Sequence, residues 1–270
     1  MKDFYTYADR QLEFKYVLDQ RPNPNDFEMH MHSKCEFCCI FSGKGIFRIE
    51  GSEYLLEEGD IFIMRPAESH YIVPEKNEPY ERISLHFDKE LFSEFDPTGI
   101  LTEAFFNRPT GALNRFNLRD FEKTEIPLLI ERLKEKTDNT RLHIISCLLP
   151  ILFSLYSHFP FKKISYSKTH DSRIVQIINF INDNLYKEIS LDSLCEKFYI
   201  SKSQLCRSFK KATASTVWEY ITAKRLVFAR ELIESGLSPT KVYVQCGFSD
   251  YSSFYRAYKN HFKISPKQRF

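Results

Sequence analysis

From about Phe27 to Phe87 the apolar residues come in short alternating runs broken by turn residues. Glu36-Phe37-Cys38-Cys39-Ile40-Phe41 leads into Ser42-Gly43-Lys44-Gly45, then Ile46-Phe47-Arg48-Ile49 and the turn Glu50-Gly51. Tyr54-Leu55-Leu56, Glu57-Glu58-Gly59-Asp60, Ile61-Phe62-Ile63-Met64, Pro66 and Tyr71-Ile72-Val73 continue the series. This rhythm predicts an all-β sandwich or barrel. After about Phe121 the period lengthens, with Ile126, Leu129, Ile130 and Leu133 on one helical stripe. A second helix, from about Thr140 to Ser157, is apolar around much of its circumference. That excess calls for a partner, and the expectation is a symmetric homodimer built on these helices. Leu142 to Phe159 comes nearest to a membrane span, but His143, Pro150, three Ser and His158 interrupt it, so it reads as a buried helix and no membrane is expected as a partner.

Residues 161–170 keep no sustained period and end at Asp171, a good N-cap, which places a linker over 161–171 between a domain of residues 1–160 and one of residues 172–270. Beyond it the pattern is helical throughout. Ile174, Ile177, Ile178, Ile181 and Leu185 form one stripe; Ser190 caps a short helix with Leu191, Leu194 and Phe198; Ser201-Lys202-Ser203-Gln204 reads as a capping box. A longer helix carries Trp218, Ile221, Arg225, Leu226, Ala229, Leu232 and Ile233 and stops at Gly236, and Ser238-Pro239 restarts the chain. The fold class is therefore α+β: a β-barrel followed by helices, then an all-α domain.

One unit is written twice. Leu205, Arg207, Phe209 and Lys210 recur 49 residues later as Phe254, Arg256, Tyr258 and Lys259. Each copy has a short helix, a tight turn (Phe198-Tyr199-Ile200-Ser201, Cys246-Gly247-Phe248-Ser249) and a second helix, which is the helix-turn-helix plan. With Leu205 and Phe209, or Phe254 and Tyr258, turned inward, the outer face carries Ser201, Lys202, Ser203, Cys206, Arg207, Lys210 and Lys211 in one copy. In the other it carries Tyr251, Ser252, Tyr255, Arg256 and Lys259. An Arg fork matches the two acceptors of a guanine edge, small hydroxyls allow close approach and Lys neutralises phosphate. Two such helices suit successive major grooves about 34 Å apart on one face of double-stranded DNA.

Charge agrees once the chain is divided. The formal net charge is +2, but residues 161–270 hold 19 Lys and Arg against 9 Asp and Glu, and residues 1–160 hold 19 against 27. A basic module for a polyanion joined to an acidic module with another task follows. With 43% hydrophobic residues and only 8 Gly and 12 Pro, unfolded and collagen-like chains are excluded. Seven Cys at 35, 38, 39, 147, 195, 206 and 246 form no paired ligand spacing, and Met1-Lys2-Asp3-Phe4 is no apolar leader, so the expected compartment is the reducing cytoplasm.

Residues 172–270 resemble the DNA-binding domain of AraC/XylS-type transcription regulators, on Gly247-Phe248-Ser249-Asp250-Tyr251-Ser252-Ser253-Phe254, Tyr258-Lys259 and Ile264-Ser265-Pro266. The resemblance implies two recognition helices, Ser201–Lys211 and Asp250–Lys259, and RNA polymerase as a partner if the protein activates. Departures are Ala214 and Lys263, where the family usually has Gly after each recognition helix, and Tyr243, in place of a small residue.

His30-Met31-His32, then Glu36 and Gly43, resembles the first motif of cupin barrels, and Gly59-Asp60 through Pro66-Ala67-Glu68-Ser69-His70 resembles the second, giving a cupin-like, jelly-roll barrel. On a strand, positions i and i+2 share a face, so His30 and His32 look into the barrel together, where Glu36 and His70 complete a three-His, one-carboxylate set. Two readings stand side by side. In one, the four residues hold a divalent metal, at the extreme in a metal-dependent cupin enzyme with an appended helical domain. In the other, which the regulator resemblance implies, no cofactor is required and nothing is catalysed. The barrel then binds a small effector, a sugar or related metabolite, with Tyr16, Arg65 and Tyr71 joining His30, His32, Glu36 and His70 as liners.

Overall fold

The computed structural model describes residues 2–23, 26–76, 78–159 and 173–267; the expected linker at 161–171 and its N-cap Asp171 lie outside them. Among the described residues the first half holds nine strands: β1 (Lys2–Ala8), β2 (Leu12–Asp19), β3 (Cys35–Ser42), β4 (Gly45–Ile49), β5 (Ser52–Leu55), β6 (Asp60–Met64), β7 (His70–Pro74), β8 (Tyr80–Phe87) and β9 (Arg115–Asn117). They form two antiparallel sheets, one in the order β1-β2-β8-β3-β6-β9 and a smaller one in the order β5-β4-β7.

The alternation of β3 shows how the sequence builds this. Cys35, Phe37, Cys39 and Phe41 turn to one face of the large sheet, where they join Leu12, Phe14, Ile83, Leu85 and Phe87. Three helices cover that face: α1 (Ile100–Phe106), α2 (Ile126–Arg132) and α3 (Thr140–His158), the last burying Ile144, Cys147, Leu148, Ile151, Leu152 and Leu155. Cys38 and Ile40 turn the other way, into a second core shared with Phe47, Ile49, Phe62, Met64 and Ile72, which is the inside of the barrel. The first two strands and α1 lie outside the range in which alternation was read, whereas α2 begins at Ile126, the first residue of the expected stripe. A 3-10 turn, Leu118–Phe121, capped by Asn117, occupies the stretch before it.

Among the described residues α3 is long and apolar enough, by length and composition, to cross a membrane. Its inner face lies on the large sheet, while Leu142 and Phe153 on its outer face stay 67% and 55% exposed.

The helical half runs α4 (Arg173–Asp183), α5 (Leu191–Phe198), α6 (Lys202–Thr213), α7 (Val217–Glu234), α8 (Pro239–Gln245) and α9 (Tyr251–Phe262). Helices α5 and α6, and again α8 and α9, are the two helix-turn-helix units. The first shares a core with α4 and the start of α7, and the second has its own core around Leu226, Ala229, Val242, Cys246, Phe254 and Tyr258. Ser190 and Ser193 cap α5 reciprocally, whereas at α6 only the forward half of the expected box forms, Gln204 N donating to Ser201 Oγ at 3.3 Å. A second reciprocal box, Thr216 with Glu219, starts α7.

Candidate effector site and DNA-reading surface

His30 and His32 do not sit on a strand. They lie on an extended segment held to β7 by one bridge, His30 with His70. The extended backbone still places both rings with Glu36 and His70, and one ligand atom from each of the four lies within 4.8 Å of the others. His32 Nε2 is 2.9 Å and His70 Nε2 2.8 Å from Glu36 Oε2. Glu36 and His70 are buried, and His30 stands at the mouth. His30 keeps solvent contact on one side, but desolvation on the others pushes its pKa down to about 3, and burial brings His32 to about 4. Burial acts the same way on His70, but the adjacent Glu36 carboxylate overrides it and raises the pKa. Burial disfavours the Glu36 carboxylate, yet the surrounding imidazoles hold its pKa well below the ordinary range.

A fifth group escaped the motif. His86 on β8 is paired in register with Glu36, and its Nε2 lies 3.3 Å from the same oxygen. The signal was the alternation of β8: Ile83, Leu85 and Phe87 face the helices, so His86 faces inward. Glu68 was also missed as a structural anchor. It is buried and takes a bidentate pair from buried Arg108 at 2.8 and 2.5 Å, with Gly111 N and Asn114 Nδ2 adding donors. Burial raises the Glu68 pKa and Arg108 more than reverses this, to about 2.

The three remaining expected liners are elsewhere. Tyr16 shares the parity of Leu12 and Phe14, packs on the helix-covered core and donates to Glu81 at 3.0 Å. Arg65 spends its guanidinium on the loop after α1, donating to Arg108 O at 3.2 Å and to Thr110 Oγ1. Tyr71 follows His70 on β7, so it faces away from the barrel; its hydroxyl accepts from Arg48 and donates to the main-chain oxygen of Lys211 on α6 at 3.4 Å.

That last contact belongs to a seam between the small sheet and the helical half. The β4–β5 hairpin turn, Glu50-Gly51, has positive φ at both residues, 50° and 80°, as a two-residue turn of this twist requires. A Cβ on Gly51 would lie 2.7 Å from Ile178 Cδ1 of α4, so the turn is pressed against the first helix-turn-helix core. Glu50 is 2% exposed and satisfied across the seam: Oε1 accepts from Lys224 Nζ at 2.6 Å and Ser69 N at 2.5 Å, and Oε2 from Asn182 Nδ2 at 3.1 Å and the Tyr220 hydroxyl. Met31 is buried in the same helical core. Beside it a cavity of about 530 Å³ opens, lined by Met29, His30 and Met31 of the barrel mouth, by α7 from Trp218 to Leu226, and by Ala257, Asn260 and His261 of α9.

In the two recognition helices Leu205, Phe209, Phe254 and Tyr258 are buried, as the repeat predicted. Ser201, Lys202, Ser203, Cys206, Arg207, Lys210 and Lys211 are exposed, as are Ser252, Arg256 and Lys259, and Tyr255 is half-buried. Tyr251 departs from its expected place. Its ring packs edge-on to Tyr243, 5.8 Å between centroids, and its hydroxyl is enclosed, so the bulky Tyr243 is accommodated at the expense of a reader. Ala214 and Lys263, which end the two readers, are left-handed at φ 56° and 62°.

A two-sheet barrel docked on paired helix-turn-helix units defines a two-domain DNA-binding regulator. Family models match accordingly: an AraC-like ligand binding domain over residues 16–143 and a helix-turn-helix domain over 194–269. The HTH-type transcriptional activator RhaS of Escherichia fergusonii is 22% identical over 95% of this chain and 92% of its own. The Msm operon regulatory protein of Streptococcus mutans is 24% identical over 85% and 81%, and the transcriptional regulator LumQ of Photobacterium leiognathi 31% identical over 52% and 56%. The chain belongs to the AraC-type DNA-binding transcription regulators, with an N-terminal ligand-binding domain.

Proposed function

We propose that this regulator reads promoter DNA with the outer faces of α6 and α9 and that a small effector at the barrel mouth sets how those helices are presented, by shifting the population of DNA-competent arrangements. The observation that carries the reading is the repeat: the same inward pair and the same outward Arg and Lys occur twice, on helices whose outer faces are open. Arg207 and Arg256 are assigned to base edges, Lys210, Lys211, Lys202 and Lys259 to phosphates, and Ser201, Ser203, Cys206, Ser252 and Tyr255 to close contacts. The domains are residues 1–160 and 172–270, joined by 161–171. The protein acts in the cytoplasm, without catalysis, and meets RNA polymerase where it activates, as RhaS does by name.

The test is selection of bound duplexes from a random library. Arg207→Ala and Arg256→Ala each relax base preference by about 1–3 kcal/mol at their own half of the selected site. Unchanged preference in both variants would refute the reader assignment. A homodimer is proposed through the outer face of α3, where Leu142 and Phe153 stay exposed. Phe153→Glu is expected to halve the mass seen in sedimentation equilibrium, and an unchanged mass would remove α3 as the interface.

A further inference from the structure

We propose that the barrel holds a second binding site, for a small carboxylic acid with an apolar body, built on Arg82 and Tyr80 at the end away from the histidines. Such a site lies outside the cluster at the mouth and stands whether or not an effector also binds there.

The strand places both side chains. Ile83, Leu85 and Phe87 of β8 turn to the helix-covered core, so Tyr80, Arg82, Ser84 and His86 turn into the barrel. Tyr80 joins the inner core with Cys38, Ile40 and Phe47. Arg82 pairs in register with Ile40 and His86 with Glu36, so four residues of strand, about 13 Å, separate Arg82 from the histidine cluster.

An arginine is charged at every physiological pH, and a cation withdrawn from water is costly without a counter-charge. The other arginines of the barrel half that are not exposed each have one: Arg48 pairs with Glu53, Arg65 and Arg108 with Glu68, Arg115 with Asp60 and Arg141 with Asp9. Arg82 forms no ion pair among the described residues, and its Nε is enclosed without a hydrogen bond. Glu36 is four residues away along β3 and is occupied by His32, His70 and His86; Asp19, opposite Tyr80 on β2, makes no ion pair with Arg82.

Tyr80 adds a second unmet donor. It is 1% exposed and its hydroxyl is enclosed and unbonded, with Arg82 Cζ 5.9 Å from the centre of its ring. Burial pushes the phenol pKa up although Arg82 draws it down, so the hydroxyl keeps its proton and can donate. Two donors side by side call for an acceptor, and the guanidinium calls for a negative one. One positive charge balances one carboxylate, whose two oxygens match the arginine fork; a doubly charged phosphate would leave negative charge uncompensated in an apolar barrel. Arg82 as a whole is only half-buried, so solvent reaches it, and the half-buried Phe27 ring, edge-on to Tyr80 at 5.6 Å, offers an apolar neighbour to the rest of the acid.

The test is thermal melting and calorimetry of the full chain at constant ionic strength with benzoate, and with benzyl alcohol, glucose and inorganic phosphate in parallel. Benzoate should bind once per chain and raise the melting temperature, and the other three should do neither. Arg82→Met removes the stranded charge, so without ligand it should melt at least about 2 °C above the wild type, and it should bind benzoate at least about 30-fold more weakly. Tyr80→Phe deletes a hydroxyl that bonds nothing, so its melting should stay within about 1 °C of the wild type while benzoate affinity falls about 10-fold. Arg82→Lys keeps the charge and loses the fork; it should fold as the wild type does and bind at least about 10-fold more weakly. A wild type that benzoate neither binds nor stabilises overturns the site, as does affinity that is unchanged in Arg82→Lys and Arg82→Met. An Arg82→Met chain that melts below the wild type shows that the charge already has its partner within the fold, and overturns it too. Phosphate or glucose bound more tightly than benzoate overturns the ligand class. His30→Gln, at the mouth, should bind benzoate as the wild type does; a loss there would overturn the separation of the two sites.

Discussion

The two helix-turn-helix units repeat one sequence pattern but live in different surroundings. The first is pressed against the barrel: Gly51 abuts Ile178, Tyr71 reaches Lys211 O, and Glu50 is gripped by Asn182, Tyr220 and Lys224. The second keeps its own core and meets the barrel mouth across a cavity, with Ala257, Asn260 and His261 on its wall. One reader is therefore placed by the sensing domain, and the other follows through α7, whose 18 residues span about 27 Å. A regulator so built can change the spacing of its readers by altering the seam at Glu50, since the first reader is bonded there directly and the second is reached through α7.

Cutting the tie is the strongest way to break this asymmetry. Lys224 is 5% exposed, and Lys224→Met leaves the Glu50 carboxylate buried without its cation, at an expected cost of about 3–5 kcal/mol in urea unfolding. Adding Glu50→Gln removes the stranded charge and should recover most of the loss. In the double variant, amide hydrogen exchange in α4 to α6 should rise toward that of α8 and α9. Exchange that stays slow in α4 to α6 would show that apolar packing around Met31 and Ile178, not the ion pair, holds the first reader.

An intermediate effect is expected at the far end of α7. Burial, with Glu234 and Glu90 nearby and only Lys89 opposing, raises Glu231 to about 7, and burial raises Asp88 on the barrel to about 6. The folded state thus holds these protons more tightly than the unfolded chain, whose glutamates titrate near 4.5. Stability from this contact is present below that value and is lost as pH rises through about 7. The melting temperature of the wild type, compared with Glu231→Gln, should fall more steeply between pH 5 and 7.5. Equal slopes would remove this contact from the seam.

How much of this was legible follows from what each signal depends on. The repeat, the inward pairs and the exposed basic faces were readable because helical periodicity is local, and the four-residue cluster was readable because its motif spacing survives even where the strand under His30 does not. His86 needed the pairing of β3 with β8, which brings it beside Glu36 from fifty residues away in sequence, and Tyr16 and Tyr71 were assigned to the barrel interior because a tyrosine in a strand does not declare which face it takes. Glu50 read as a turn residue and nothing more. Its partners come from α4 and α7, and no local pattern announces a contact between domains.

The smallest effect sharpens the comparison most cleanly, because it concerns what the two units share. Ala214 and Lys263 each follow a recognition helix in the left-handed region, both exposed, each donating its main-chain N–H back to the fourth residue before it, Lys210 and Lys259. A side chain there crowds the neighbouring carbonyl, at about 1 kcal/mol against glycine, partly offset by the greater freedom glycine loses on folding. Ala214→Gly and Lys263→Gly should therefore each stabilise by up to about 1 kcal/mol, and by the same amount, if the helix ends are equivalent and only the seam distinguishes the units. Exchange protection separates the cases: a gain confined to the second unit would mean that the barrel already restrains the first reader enough to mask the local strain, which places the asymmetry inside α6 itself and not only in its anchorage.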